Sequence, residues 1–170
     1  MELTDLCPLK TWENLENELF EKFNFQGSVF TPDGVRITDV KNFNNQLCPA
    51  IKAHEKGQTY ICSAAHMNMT AMAKNLGKPV VEECDAGLTK LVVPIFYENT
   101  FLGVAGGCGL LTEGNDVDTF AITKIAEMNE ALVTDLAGTV PRISSDLIAT
   151  VSTFIQERVA QILASCYQKN

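Results

Sequence analysis

Four of the six cysteines, Cys48, Cys62, Cys84 and Cys108, stand 14, 22 and 24 residues apart. That spacing holds no Cys-x-x-Cys pair, so it writes neither a zinc ribbon nor a thioredoxin-like redox site. What they can do depends on where they fall. The pattern places Cys48 before a short helix, Cys62 before a second one, Cys84 after a strand, and Cys108 just past another strand in Gly106-Gly107-Cys108-Gly109. Element ends beside one sheet face are where pockets are built, and four converging thiolates would hold zinc or an iron–sulfur cluster. The competing expectation is that these cysteines only fill core positions, since cysteine is among the most buried residue types. His66 follows Cys62 by four residues and could share its helix face and its metal. His54 has no such pairing.

Other chemistry is weaker. The stretch from Gly103 to Gly109 has neither the dinucleotide-binding glycine fingerprint nor a phosphate-loop lysine. Gly103 and Gly107 are expected to let a ligand or a crossing helix approach the strand. Glu82, Glu83 and Asp85 read as a solvated acidic edge, and no Gly-x-Ser-x-Gly elbow is present. A second function class is a small thiol enzyme, with one cysteine as nucleophile or redox centre and His66 or Asp85 assisting. A third is a dimeric scaffold with an empty pocket.

The elements that must position these residues follow from periodicity. Trp12, Leu15, Leu19, Phe20 and Phe23 share one stripe of a helix over 12–23, with Glu13, Glu16, Asn17 and Glu21 off it. Residues 27–30 and 35–38 flank Thr31-Pro-Asp-Gly34 as a β-hairpin. Helices are expected over 49–56 and 63–75, the second turning Ala65, Met69, Met72, Ala73 and Leu76 inward. Strands follow at 78–83, 91–97 and 101–105, then helices from Asp116 onward. The last helix starts at Ser144 or Ser145 and carries apolar residues from Leu147 to Leu163. Its length favours pairing with the same helix of a second subunit, giving a homodimer, over packing on its own sheet. The order predicts an α+β fold, a sheet of about five antiparallel strands with helices on one face and a long C-terminal helix. PAS and GAF sensor domains share that architecture.

A single domain over residues 1–170 is expected, with a core of about 10–112 and C-terminal helices over 116–168. Thirteen basic against 21 acidic residues leave a net charge of −8. No basic footprint for a nucleic-acid backbone exists, so no nucleic-acid partner is expected. No apolar stretch is long enough to span a bilayer, and the acidic start Met-Glu-Leu-Thr-Asp is unlike a signal peptide. A cytoplasmic protein with no membrane partner and six free thiols is the expectation.

The ordered set Cys48, Cys62, Gly77-Lys-Pro79, Cys84-Asp-Ala-Gly-Leu88, Val93-Pro-Ile95, Leu102-Gly103 and Gly106-Gly107-Cys108 resembles the PocR sensory domain, a PAS-like module named after a propanediol-utilisation regulator. The resemblance covers roughly residues 10–112. It implies a non-catalytic sensor that takes a small molecule into a pocket over the sheet, usually fused to a DNA-binding, kinase, chemoreceptor or cyclic-dinucleotide output domain. The family's three cysteine positions carry over as Cys48, Cys62 and Cys84. Asp85 stands where the hallmark has His, and Cys108 stands where the family has Gln. Beyond residue 112 only helices follow, so a stand-alone sensor signalling through dimerisation or a protein output partner is expected. The ligand site implied combines Cys48, Cys62, Cys84, Asp85, Gly103 and Gly107, with Cys108 as a fourth soft ligand should the occupant be a metal centre.

Overall fold

A computed structural model describes residues 1–167. Its centre is β4 (Thr100–Thr112), paired antiparallel with β1 (Gln26–Phe30) on one side and β3 (Thr89–Tyr97) on the other. Strand β3 pairs in turn with β2 (Val80–Glu83), so the order is β1-β4-β3-β2. The two-residue β5 (Arg142–Ile143) runs parallel to the end of β4, the one departure from an all-antiparallel sheet. Pairing passes from Ile95 opposite Gly103 to Phe96 opposite Phe101, and from Leu91 opposite Gly107 to Thr89 opposite Leu110. At each step β4 spends an extra residue, and the bulges fall on Gly103 (φ 140°) and Gly109 (φ 95°), backbone states that other residues rarely adopt.

Helices close both faces of this sheet, not one as expected. On the back face α1 (Leu3–Leu6), α2 (Leu9–Phe23) and α7 (Ser145–Tyr167) pack against Val29, Leu91, Val93, Ile95 and Ala105. The α2 stripe of Trp12, Leu15 and Leu19 is buried as its spacing predicts. Helix α7 begins after Ser144, whose Oγ accepts the Leu147 N–H at 3.2 Å. It inserts Ile148, Val151, Ile155, Val159 and Ile162 into the same core. Most of the apolar stripe that suggested a dimer is thus buried within the protomer, while Leu147 is 38% exposed. Truncation after Arg142 would open this core.

The sequence places Glu16 with the solvated residues of α2, yet it is 0% exposed. Its carboxylate accepts from the Val29 N–H at 2.8 Å, Thr38 Oγ1 at 2.6 Å and Arg36 Nη2 at 2.7 Å. Burial pushes its pKa above the usual carboxylate range, opposed by the Arg36 charge. Gly27 permits this approach, since a Cβ there would lie 2.6 Å from Glu16 Cα. The return half of the expected hairpin is only the single bridge Phe30 to Arg36, because Arg36 and Thr38 are drawn onto Glu16 instead of into a ladder.

The front face is covered by α3 (Leu47–Ala53), a π-helical segment (Gly57–Ser63) and α4 (Ala64–Leu76). Met69 and Ala73 of α4 pack on Phe30, Val92 and Val104, whereas Met72 and Leu76, expected inward, are exposed. Helices α5 (Thr119–Ala126) and α6 (Glu130–Ala137) complete this side against α3 and the π-helical segment.

Two of the six expected thiols are not free: Cys7 and Cys166 form a disulfide across 159 residues of chain, tying α1 to the end of α7. Thiol titration of native protein should therefore find four reactive groups on unfolding without reductant and six with it. Reduction should lower stability by roughly 2–4 kcal/mol in chemical denaturation. Glu16→Ala orphans two buried donors and Arg36, and should cost about 3 kcal/mol in the same measurement. A loss below about 1 kcal/mol would show that the Glu16 contacts are incidental.

Candidate functional site

Strand alternation sends Gln26, Ser28 and Phe30 of β1, Lys90 and Val92 of β3, and Val104 and Cys108 of β4 toward the front helices. Between this face and the α3, π-helical and α4 segments lie two adjoining chambers. The inner one is an apolar cavity of about 30 Å³, walled by Cys48, Cys62, Cys84, Cys108, His66 and Lys90. The outer vestibule is about 470 Å³ and includes Ser28, Phe30, Arg36, Lys41, Phe43 and Met67. Lys52, His66 and Cys108 line both, so the two share a wall.

Each wall has a local cause. Cys48 sits within α3, where its N–H donates to Asn45 Oδ1 at 2.8 Å. Asn45 Nδ2 donates to Cys48 Sγ at 3.4 Å and to Gly109 O at 3.1 Å, pinning α3 to the β4 bulge. Cys62 belongs to the π-helical segment, a geometry found often at functional sites. That segment packs closely on α3 because Gly57 lacks a Cβ, which would lie 2.4 Å from Ile51 O. Cys84 opens the β2–β3 turn, closed by Cys84 N–H to Leu88 O at 3.0 Å and Gly87 N–H to Cys84 O at 2.8 Å, with Gly87 at φ 80°. Cys108 lies inside β4, not beyond it, next to the bulge at Gly109.

The cavity is electrically unusual. Lys90 is 1% exposed, and its Nζ has no hydrogen-bond partner. It lies over the Phe30 ring, with Nζ 5.1 Å from the centroid. Burial drives the Lys90 pKa down. His66 stacks on the same ring at 4.2 Å between centroids, and its Nδ1 also lacks a partner. Burial first, then the charges of Lys90, Lys52 and Arg36, hold His66 neutral. Burial pushes the Cys48 and Cys62 thiols up to about 12, and raises that of Cys84. These groups are thiols here, not thiolates.

The four cysteines and His66 thus meet in one place. Among the described residues, however, no group of three or more His, Cys, Asp or Glu side chains is arranged to hold a metal ion. The thiols line a common space without converging on a point, so the zinc or iron–sulfur expectation finds no ligand set. Asp85 is exposed on the outer side of its turn, and His54 is exposed at the end of α3. Gly103 and Gly107 do not line either chamber: a Cβ at Gly103 would meet Phe30 O at 2.0 Å, and one at Gly107 would meet the Phe25 ring at 2.8 Å. Both serve strand packing, and substituting either with Val would first damage the fold. Lys90 and Asn45 are the residues that sequence reasoning missed. The signal for Lys90 was a lone cation beginning an otherwise apolar strand directly after the Cys84–Leu88 turn.

No curated protein and no solved structure matches the chain. The family model described as the sensory domain found in PocR matches residues 5–167, taking in the C-terminal helices as well as the sheet. With the cysteines it resembles gathered at one cavity over the sheet, and nearly its whole length matched, the chain belongs to the PocR sensory-domain family.

Proposed function

We propose that this sensory domain binds a small organic molecule in the two adjoining chambers and reports occupancy through the helices packed on its sheet. The observation that carries the reading is the inner cavity itself, where Cys48, Cys62, Cys84 and Cys108 from four separate elements face Lys90 and His66. A ligand shifts a two-state equilibrium only by its different affinity for the two states. The cavity roof, made of α3, the π-helical segment and α4, is the element that a ligand touches directly. Helix α7 lies on the opposite face of β3 and β4, so movement of those strands reaches it through one sheet thickness. Output then passes to a partner protein or a second subunit by the outer face of α7.

A thiol enzyme needs a cysteine with a depressed pKa, whereas burial raises those of Cys48, Cys62 and Cys84. Iodoacetamide at pH 8 should therefore leave Cys48 and Cys62 unmodified in the folded protein, as read by peptide mass spectrometry, and modify both after unfolding. Rapid alkylation of either in the native state would favour the enzyme.

The sensing reading is tested with a plugged cavity. Cys108→Leu adds bulk at the junction of the chambers. A thermal-shift screen of two- to four-carbon acids, alcohols, diols and aldehydes should yield compounds that raise the midpoint of the parent protein and not of this variant. Equal shifts in both would place binding elsewhere. Stoichiometric iron or zinc in protein purified without oxygen would replace the small-molecule reading with a metal centre.

A further inference from the structure

Resting on the reading of this cavity as the sensing site, we infer that its ligand is a small anion, a short organic acid whose carboxylate is held by Lys90.

The charge distribution is the first ground. The chain carries a net −8, so an average stretch of its surface is acidic. The chambers reverse this: Arg36, Lys41, Lys52 and Lys90 line them against the single acid Asp33. Arg36 is matched by Glu16 at 2.7 Å, but no ion pair among the described residues meets Lys41, Lys52 or Lys90. Lys52 and Lys90 instead lie over the Phe43 and Phe30 rings at 5.3 and 5.1 Å. A ligand without an acceptor would leave the buried Lys90 Nζ with no hydrogen-bond partner, which is costly in a packed interior.

The second ground is independent of charge. Five buried side-chain polar atoms among the described residues have no hydrogen-bond partner, and three of them, Ser28 Oγ, His66 Nδ1 and Lys90 Nζ, belong to residues that line these chambers. Each can donate a hydrogen bond, the imidazole by carrying its proton on Nδ1. An acceptor-rich headgroup satisfies Lys90 and His66 together, whereas each otherwise forfeits about 1–3 kcal/mol. The thiols, held protonated by burial, supply no counter-charge of their own.

Size narrows the class. The inner space of about 30 Å³ takes little more than one small polar group, so the headgroup enters and the remainder stays in the vestibule of about 470 Å³. There Phe30, Phe43 and Met67 offer apolar contact while Asn42, Gln58 and Ser63 offer polar contact. A few-carbon acid fits both chambers.

The experiment is calorimetric titration of the full chain with acetate, propionate and lactate at fixed ionic strength, with 1-propanol as the uncharged comparator. The same titrations are run on Lys90→Met, a swap of similar shape that removes a buried, unpartnered amine and so is compatible with folding. Expected is binding of at least one acid, weakened about tenfold or more in Lys90→Met, with 1-propanol weaker than that acid by a similar factor. Protection of Cys108 from alkylation provides a second readout of the same chamber. Equal binding of acid and alcohol, or unchanged acid affinity in Lys90→Met, overturns the inference. If 1-propanol protects Cys108 and no acid does, the sensing cavity stands and the anion assignment falls. If none of the four compounds binds or protects, the anion assignment falls as well.

Discussion

The two-residue alternation of β4 and β3 governs this molecule, because it sorts neighbouring side chains into opposite environments. Ala105 and Gly107 face the back helices while Val104 and Cys108 face the front. On β3, Leu91 and Val93 enter the dry core and Lys90 enters the cavity. A slip of one residue would place a lysine in the core and leucine at the site. The two bulges hold that register where strict pairing would fail, and both fall on glycines whose backbone conformation other residues resist. The bulge at Gly109 has a second consequence, since its carbonyl accepts from Asn45 and so fixes the start of α3 over the cavity.

The two faces differ in how completely they are satisfied. On the back, even the buried charge of Glu16 is fully engaged, by a backbone donor, a hydroxyl and a guanidinium. Stability is concentrated there, joined by the α7 stripe and by the Cys7–Cys166 disulfide. On the front, Lys90 is buried and His66 half-buried, and both have aromatic contact while Lys90 Nζ and His66 Nδ1 have no hydrogen-bond partner among the described residues. Unsatisfied polar groups in a packed interior are costly, and their persistence is the usual mark of a site shaped for something other than stability. The division sets a well-satisfied back face against a cavity lined by groups without partners.

The parts that could be read before folding were those with strong local patterns. The α2 stripe, the β3 and β4 runs, the Gly77 stop of α4 and the cap before α7 each follow from periodicity or backbone chemistry. Whether Cys48, Cys62, Cys84 and Cys108 share a pocket or only fill core positions stays open in the sequence, because Cys48 and Cys108 lie within their elements and only the folded register brings all four to one cavity wall. Other features depend on contacts between distant segments. Glu16 looks solvated on its helix and is buried only because Gly27 lets α2 touch β1. Nothing near Cys7 or Cys166 in the chain announces the other. Gly103 and Gly107 were assigned to the ligand on residue type, but type does not reveal which side of a bulged strand a missing Cβ would occupy. Lys90 went unnoticed because a lysine at the start of a strand is ordinarily exposed, and only the bulge and the front helices enclose it.

We place the proposed ligand contact at the thiol-lined cavity and not in the back-face core. Backbone amide NMR of the labelled full chain, titrated with propionate, addresses it most directly. The account predicts shifts concentrated at Cys48, Cys62, His66, Lys90 and Cys108, with smaller ones spreading into β3 and β4. Shifts confined to α2 and α7 would contradict it, as would the absence of shifts at every cavity residue both with propionate and, in a parallel titration, with 1-propanol.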